Sequence, residues 1–229
     1  MWKLSEPEMR EFGIHGYVLI RNVIPPAILA AASKAIDSLV DEQPPPEGHA
    51  GHHFYWPSPL DGGPLPALFY DTSLRSLAQS LVDPGEIEIA FNHVQVALNI
   101  PPFSHRPGGH HLDEYQEGHQ VPATFTMLAG VLITEQEVEN SGNLWVWPGT
   151  HRSHAAFFRE RGPDALVEVK GYPKIELPKP SQVLGRPGDV ILAHYMLGHN
   201  IGGNYESEKV RRAIPTDFVS RCHKASLSC

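Results

Sequence analysis

Gly109-His110-His111-Leu112-Asp113-Glu114 is the stretch on which the reading of this chain turns. On a β-strand, residues i and i+2 point to one face. His111 and Asp113 then aim an imidazole nitrogen and a carboxylate oxygen at a single point. The same parity turns His110 away, to support the pair from behind or to face solvent. Two protein donors make a poor metal site, so a third, best a histidine, has to come from a strand remote in sequence and adjacent in space. His199 offers it, within Val190-Ile191-Leu192-Ala193-His194-Tyr195-Met196-Leu197-Gly198-His199.

The flanking sequence supplies further strands. Upstream, Ser5-Glu6-Pro7-Glu8 predicts a helix start with a capping box, ending near Gly13. Tyr17-Val18-Leu19-Ile20 reads as a short strand, and Pro25-Pro26 opens a second helix to about position 40, with Ile28, Leu29, Ile36 and Leu39 on its apolar face. Positions 43–66 are rich in Pro, Gly, His and aromatics without periodicity, as expected of a loop covering a site. A short helix is expected over 72–81, then a long strand over 87–100 with a bulge near Asn92-His93. Strands are expected again at 123–134, 142–147, 166–170, 175–177, 190–194 and 211–220, with a helical turn or two at 155–161. Two helices followed by many short strands separated by turn signals predict an α+β, mainly β fold with a barrel or sandwich core, forming one domain over 1–229. The last residues, 221–229, are expected to be a flexible tail.

Composition sets the compartment and partners. Of 229 residues, 18 are Lys or Arg and 26 Asp or Glu, a formal net charge of −8, which disfavours nucleic acid or an anionic membrane as the main partner. The two cysteines, Cys222 and Cys229, lie together near one end, so no disulfide framework is suggested and the cytoplasm is the expected location. No signal peptide or membrane span is recognisable. The 22 prolines and only 19 % charged residues favour strands and shaped loops over a helical bundle.

Two histidines and one carboxylate on one face of a metal, with the other positions open, is the arrangement of non-haem Fe(II) oxygenases. Further segments extend the pattern: Ser141-Gly142-Asn143-Leu144-Trp145-Val146-Trp147-Pro148-Gly149-Thr150-His151, Gly188-Asp189 with His194 and His199, and Asn204 followed by Arg211-Arg212-Ala213-Ile214. In order and spacing these resemble the phytanoyl-CoA hydroxylase family of Fe(II)/2-oxoglutarate oxygenases, including its ectoine hydroxylase branch, over most of the chain. The resemblance implies a double-stranded β-helix (jelly-roll, cupin-like) core with the N-terminal helices packed on one sheet. It makes His111, Asp113 and His199 the iron ligands, with 2-oxoglutarate and O2 as cosubstrates. It also assigns Arg211 to the far carboxylate of 2-oxoglutarate and adds Gln95 and Asn99 as further contacts. Arg212 is the alternative, because only one of two consecutive strand residues can face inward. The related halogenases carry a small residue where Asp113 stands, so a hydroxylating enzyme is implied. One departure is visible: the tryptophan of some members falls near Val131 here.

Other residues divide by chemistry. His53, Tyr55, Trp56, Arg106 and Trp145 are the expected contacts to a small-molecule substrate, with His52 and His105 beside them. Trp147 shares a face with Trp145. His194 is expected to be a buried structural histidine or a substrate contact. His151 should order the turn after Pro148-Gly149, and Asp189 should cap backbone amides in a turn. Glu135, Glu137 and Glu139 read as a solvated edge. A zinc hydrolase would use the same three donors, and a jelly-roll binding module would need none. Arg211 separates them, since neither gives a reason for an arginine buried opposite the metal. The oligomeric state and the substrate's identity have no signature in the chain.

Overall fold

The computed structural model describes residues 2–57, 62–82, 86–89, 94–113, 126–162 and 164–220. Helix α1 spans Glu6–His15 and begins with the expected capping box: the Ser5 hydroxyl accepts from the Glu8 amide while the Glu8 carboxylate accepts from the Ser5 amide. It runs past Gly13 and stops at Gly16, whose φ of 82° lies in the left-handed region where a side chain is strained. Strand β1 (Tyr17–Ile20) and helix α2 (Pro26–Glu42) follow as expected.

The stretch 43–66 is not a plain loop. It contains β2 (Gly51–Tyr55) and the start of α3 (Pro64–Tyr70). A Pro, Gly and His composition hid the strand, because its stabilisation comes from a partner rather than from propensity. Helix α4 (Leu74–Gln79) replaces the expected 72–81 helix, and β3 (Ile87–Ile89) and β4 (Val96–Ile100) replace one long strand. The bulge expected near Asn92-His93 and the tail from 221 fall outside the described residues.

Strands β5 (Met127–Leu132) and β6 (Leu144–Val146) precede α5 (Thr150–Arg161). The expected strand at 166–170 is instead a helical turn, α6 (Ala165–Glu168), and 175–177 has no regular structure. Short apolar runs read as strand or helix alike until their pairing is known. Strands β7 (Ser181–Gln182), β8 (Val190–His194), β9 (His199–Ile201) and β10 (Arg211–Ser220) complete the chain.

Pairing joins seven strands in the order β1-β8-β5-β10-β4-β2, with β3 on the far end of β10, and three in the order β7-β6-β9. Every strand pair among the described residues is antiparallel, and neighbours in the sheets are remote in sequence, as in a double-stranded β-helix. One face of the larger sheet carries Val18, Val131, Val190, Leu192, Ile214 and Phe218 against α2, α3 and α4. There Ile36, Leu68 and Phe69 are fully buried, and the Phe69 ring meets Phe218 edge-on at 5.9 Å. Each such side chain contributes about 1.5–3 kcal/mol by leaving water. The N-terminal helices thus pack on one sheet and leave its other face free to line a cavity. The smaller sheet closes over that face where Val146 and Val183 touch Ile191, Ala193 and Leu197.

Candidate metal centre

His111 and His199 are joined as an antiparallel bridge: the His111 amide donates to the His199 carbonyl at 3.0 Å and the return bond measures 3.3 Å. His111 therefore sits in a single bridge rather than a full strand, with Asp113 in the turn that follows. The donors still converge. His111 Nε2 lies 3.3 Å from Asp113 Oδ1, His199 Nε2 lies 3.2 Å from Asp113 Oδ2, and the three ligating atoms fall within 4.8 Å of one another. The His199 Nδ1 donates to the Leu197 carbonyl at 2.9 Å. A carbonyl only accepts, so the bond fixes the tautomer and leaves the Nε2 lone pair aimed at the shared point.

Two loops hold this geometry. The Asn200 side chain donates to the Gly109 carbonyl at 2.9 Å, tying β9 to the segment that carries His111. The Thr150 hydroxyl donates to Trp147 O at 2.7 Å and accepts from Gly198 N at 2.9 Å, bracing the residue before His199. The turn after Pro148-Gly149 is thus ordered by Thr150. His151, expected in that role, begins a helix and packs against Gly16. Behind the centre, His110 is buried, its Nε2 2.8 Å from that of His154, whose Nδ1 donates to Met196 O.

Electrostatics agree with a cation site. Burial by itself would raise the Asp113 carboxyl, but His199 and the hydrogen bonds from His111 and His199 outweigh it and hold the group well below the usual carboxylate range. Burial pulls His199 down, yet the Asp113 carboxylate lifts it above its ordinary value. A metal ion in place of shared protons would satisfy all three groups. Two imidazoles and one carboxylate suit Fe(II) or Zn(II).

The donors open into a cavity of about 800 Å³ on the inner face of the larger sheet. Arg211 lies on the same wall. It is 6 % exposed, its Nε donates to Gln136 Oε1 at 3.1 Å, and no carboxylate among the described residues pairs with it. Burial lowers its guanidinium to about 10. A buried cation lacking a counter-ion is costly, so this end of the cavity is built to receive an anion. Arg212 points the opposite way, to Asp37 on α2.

The remaining expectations separate by strand face. Gln95 lines the cavity. Asn99, opposite Arg211 on β10 and His52 on β2, shares their inward face with Gln95; it is fully buried beneath the cavity lining and donates to Gly202 O at 2.7 Å. On β2 the inward residues are His52 and Phe54, and Trp56 continues their face. His53 and Tyr55 lie on the other face, where the rings meet at 4.8 Å and the Tyr55 hydroxyl donates to Gln43 O. Trp145 also faces away from the cavity, its Nε1 against Gly202, while its neighbour Leu144 faces in. Arg106 is exposed and bonds Tyr205 outside the cavity. Val131 packs toward the helices, so its departure from the usual tryptophan leaves the cavity wall to Gly130.

His194 is structural, accepting from the Met196 amide at 3.0 Å. Asp189 caps the Asn22 and Arg186 amides and pairs with Arg21. Glu135, Glu137 and Glu139 are exposed, with Glu137 paired to Arg186. Among the cavity residues with no place in the sequence reading are Tyr172, beyond α6, and Asp217. Parity along β10, counted from Arg211, could have found the second.

The model of the family described as phytanoyl-CoA dioxygenase (PhyH) matches residues 12–213. The chain belongs to that family. Membership makes it a dioxygenase, of the class that depends on non-haem iron and 2-oxoglutarate. Solved relatives share the fold at low identity. The 2-oxoglutarate-dependent carbocyclase SnoK of nogalamycin biosynthesis is 17 % identical with a TM-score of 0.69, over 94 % of this chain and 83 % of that one. HygX from Streptomyces hygroscopicus, solved with nickel and 2-oxoglutarate, is 16 % identical with a TM-score of 0.67, over 96 % and 88 %. EctD from S. alaskensis is 19 % identical with a TM-score of 0.62, over 94 % and 77 %. No curated protein sequence matches the chain. No helix among the described residues is long and apolar enough to cross a membrane.

Proposed function

We propose that this dioxygenase hydroxylates an unactivated C–H bond of a small-molecule metabolite, with 2-oxoglutarate and O2 consumed and succinate and CO2 released. His111, Asp113 and His199 hold Fe(II) through the Nε2 atoms and the carboxylate. When bound, iron and 2-oxoglutarate together supply the activation of O2 that no side chain provides. Arg211 anchors the far carboxylate of the keto acid with a two-pronged guanidinium, and Gln95 orients it from the position just before β4. The apolar wall of Leu128, Ile191 and Ala193 keeps water from the reacting end. Placing the substrate bond near the metal is the protein's remaining task.

The observation that carries this reading is Arg211, buried with no counter-ion among the described residues, on the same cavity wall as three converging donors. Asp113 favours hydroxylation over halogenation, because it occupies the position a halide would need. The related carbocyclase SnoK and epimerase SnoN show that the fold hosts several outcomes, so the product follows from which substrate bond is held nearest the metal.

Anaerobic addition of Fe(II) and 2-oxoglutarate tests the proposal. A weak visible charge-transfer band should appear with the wild type and be absent in His199→Ala. A wild type that binds both and shows no band overturns it. A metabolite screen for succinate release then finds the substrate.

A further inference from the structure

Strand β10 presents Arg211, Ala213, Pro215 and Asp217 to the cavity, every second residue along one face. At about 3.4 Å per residue, the two charged positions stand about 20 Å apart along the strand. Arg211 marks the end that takes the anionic cosubstrate. Asp217 marks the opposite end.

Its carboxylate has no hydrogen bond or ion pair among the described residues, and it is not one of the three groups that converge on the metal point. It nevertheless lies close enough to feel both Asp113 and His199. The neighbours across the sheet are apolar, Leu128 on β5 and then Ala193 on β8. Burial first, then the Asp113 charge, pushes the Asp217 carboxyl up to about 7. An acid kept in such a wall without a partner is costly, and a cationic ligand would remove that cost.

The rim is suited to the same charge. Trp56 and Tyr172 line the cavity and are 55 % and 61 % exposed, leaving ring faces free. Tyr55 pairs with Val96, and the Gln95 amide bonds Pro215 O, so Trp56 stands toward the Asp217 end of the sheet. Aromatic faces attract ammonium groups. Lys170 also lines the cavity, but it is not among the groups acting on Asp217.

We propose that Asp217 selects the substrate by its charge, accepting an organic ammonium group while the C–H to be oxidised lies between Asp217 and the metal ligands. This rests on the oxygenase reading above and adds the substrate class to it. The test uses three small probes, n-butylammonium, n-butanol and butyrate, titrated by calorimetry into the protein loaded with Fe(II) and 2-oxoglutarate. Wild type should bind the ammonium about tenfold or more tightly than the alcohol. Asp217→Asn should lose that preference and Asp217→Glu should keep it, with thermal unfolding of each variant confirming a folded protein. Equal binding of ammonium and alcohol by wild type, or an unchanged preference in Asp217→Asn, overturns the proposal. A missing charge-transfer band in the same samples would instead strike the oxygenase reading, while the calorimetry still reports on Asp217.

Discussion

Arg211 and Arg212 are consecutive in sequence and face opposite sides of β10, the first into the cavity beside Gln136, the second out to Asp37 on α2. Strand alternation allows nothing else. A charged hydrogen bond is worth about 1.5–3 kcal/mol, so Arg211→Ala should raise the 2-oxoglutarate KM by about 10- to 150-fold. Arg212→Ala removes a surface ion pair, should cost at most about 1 kcal/mol of stability, and should leave that KM unchanged. Steady-state kinetics against 2-oxoglutarate distinguishes them. The reverse pattern would assign the wrong arginine.

Asp113 bridges both imidazoles, so Asp113→Ala removes one of three metal donors and the charge that keeps His199 in place. Iron affinity should fall by more than about a hundredfold, and turnover should vanish with it. Metal content after gel filtration, read beside succinate release, checks this. Full iron retention with full activity would remove Asp113 from the centre.

Faces of β2 predict a split between neighbours. Phe54→Ala opens the cavity wall and should weaken coupled turnover without altering Tyr55, which packs in the core. Tyr55→Phe loses only the bond to Gln43 O and should cost about 0.5–1.5 kcal/mol in a urea titration, with kinetics intact. A kinetic defect in Tyr55→Phe would contradict the observed register.

Buried histidines make acid stability steep. Burial above all lowers both His154 and His194 to about 4, against about 6.5 for an open chain. The unfolded state takes up these protons first as pH falls, so the stability they contribute is fully present above about 6.5 and is lost progressively from there down to about 4. Each histidine adds up to about 1.4 kcal/mol per pH unit to that slope. Urea midpoints measured from pH 7.5 to 4.5 should show it, and His154→Gln should flatten the curve. An unchanged slope would mean that His154 titrates normally in the fold.

The local part of this protein was legible because its signals lie within a few residues. The Ser5-Glu8 capping box, the alternation of 17–20 and 211–220, and the His111-x-Asp113 spacing each depend on short-range signals. What failed depended on partners. His53 and Tyr55 read as substrate contacts because rings crowd positions 52–56, and nothing within 51–55 states which face turns inward. The register Tyr55↔Val96 on β4 decides that. The apolar run at 166–170 is helical at Ala165–Glu168, and no described strand pairs with it. Thr150, rather than His151, braces the metal loop because its hydroxyl alone meets Gly198 N.

By itself the sequence determined the donor set and the mainly β class, since residue type and alternation are properties of the chain. Tertiary structure decided which side chains share the cavity, bringing Asp217 and Trp56 in and leaving Tyr55 and Trp145 out. The physical reason is that a sheet's two faces are equivalent until a neighbouring strand and a layer of helices bury one of them.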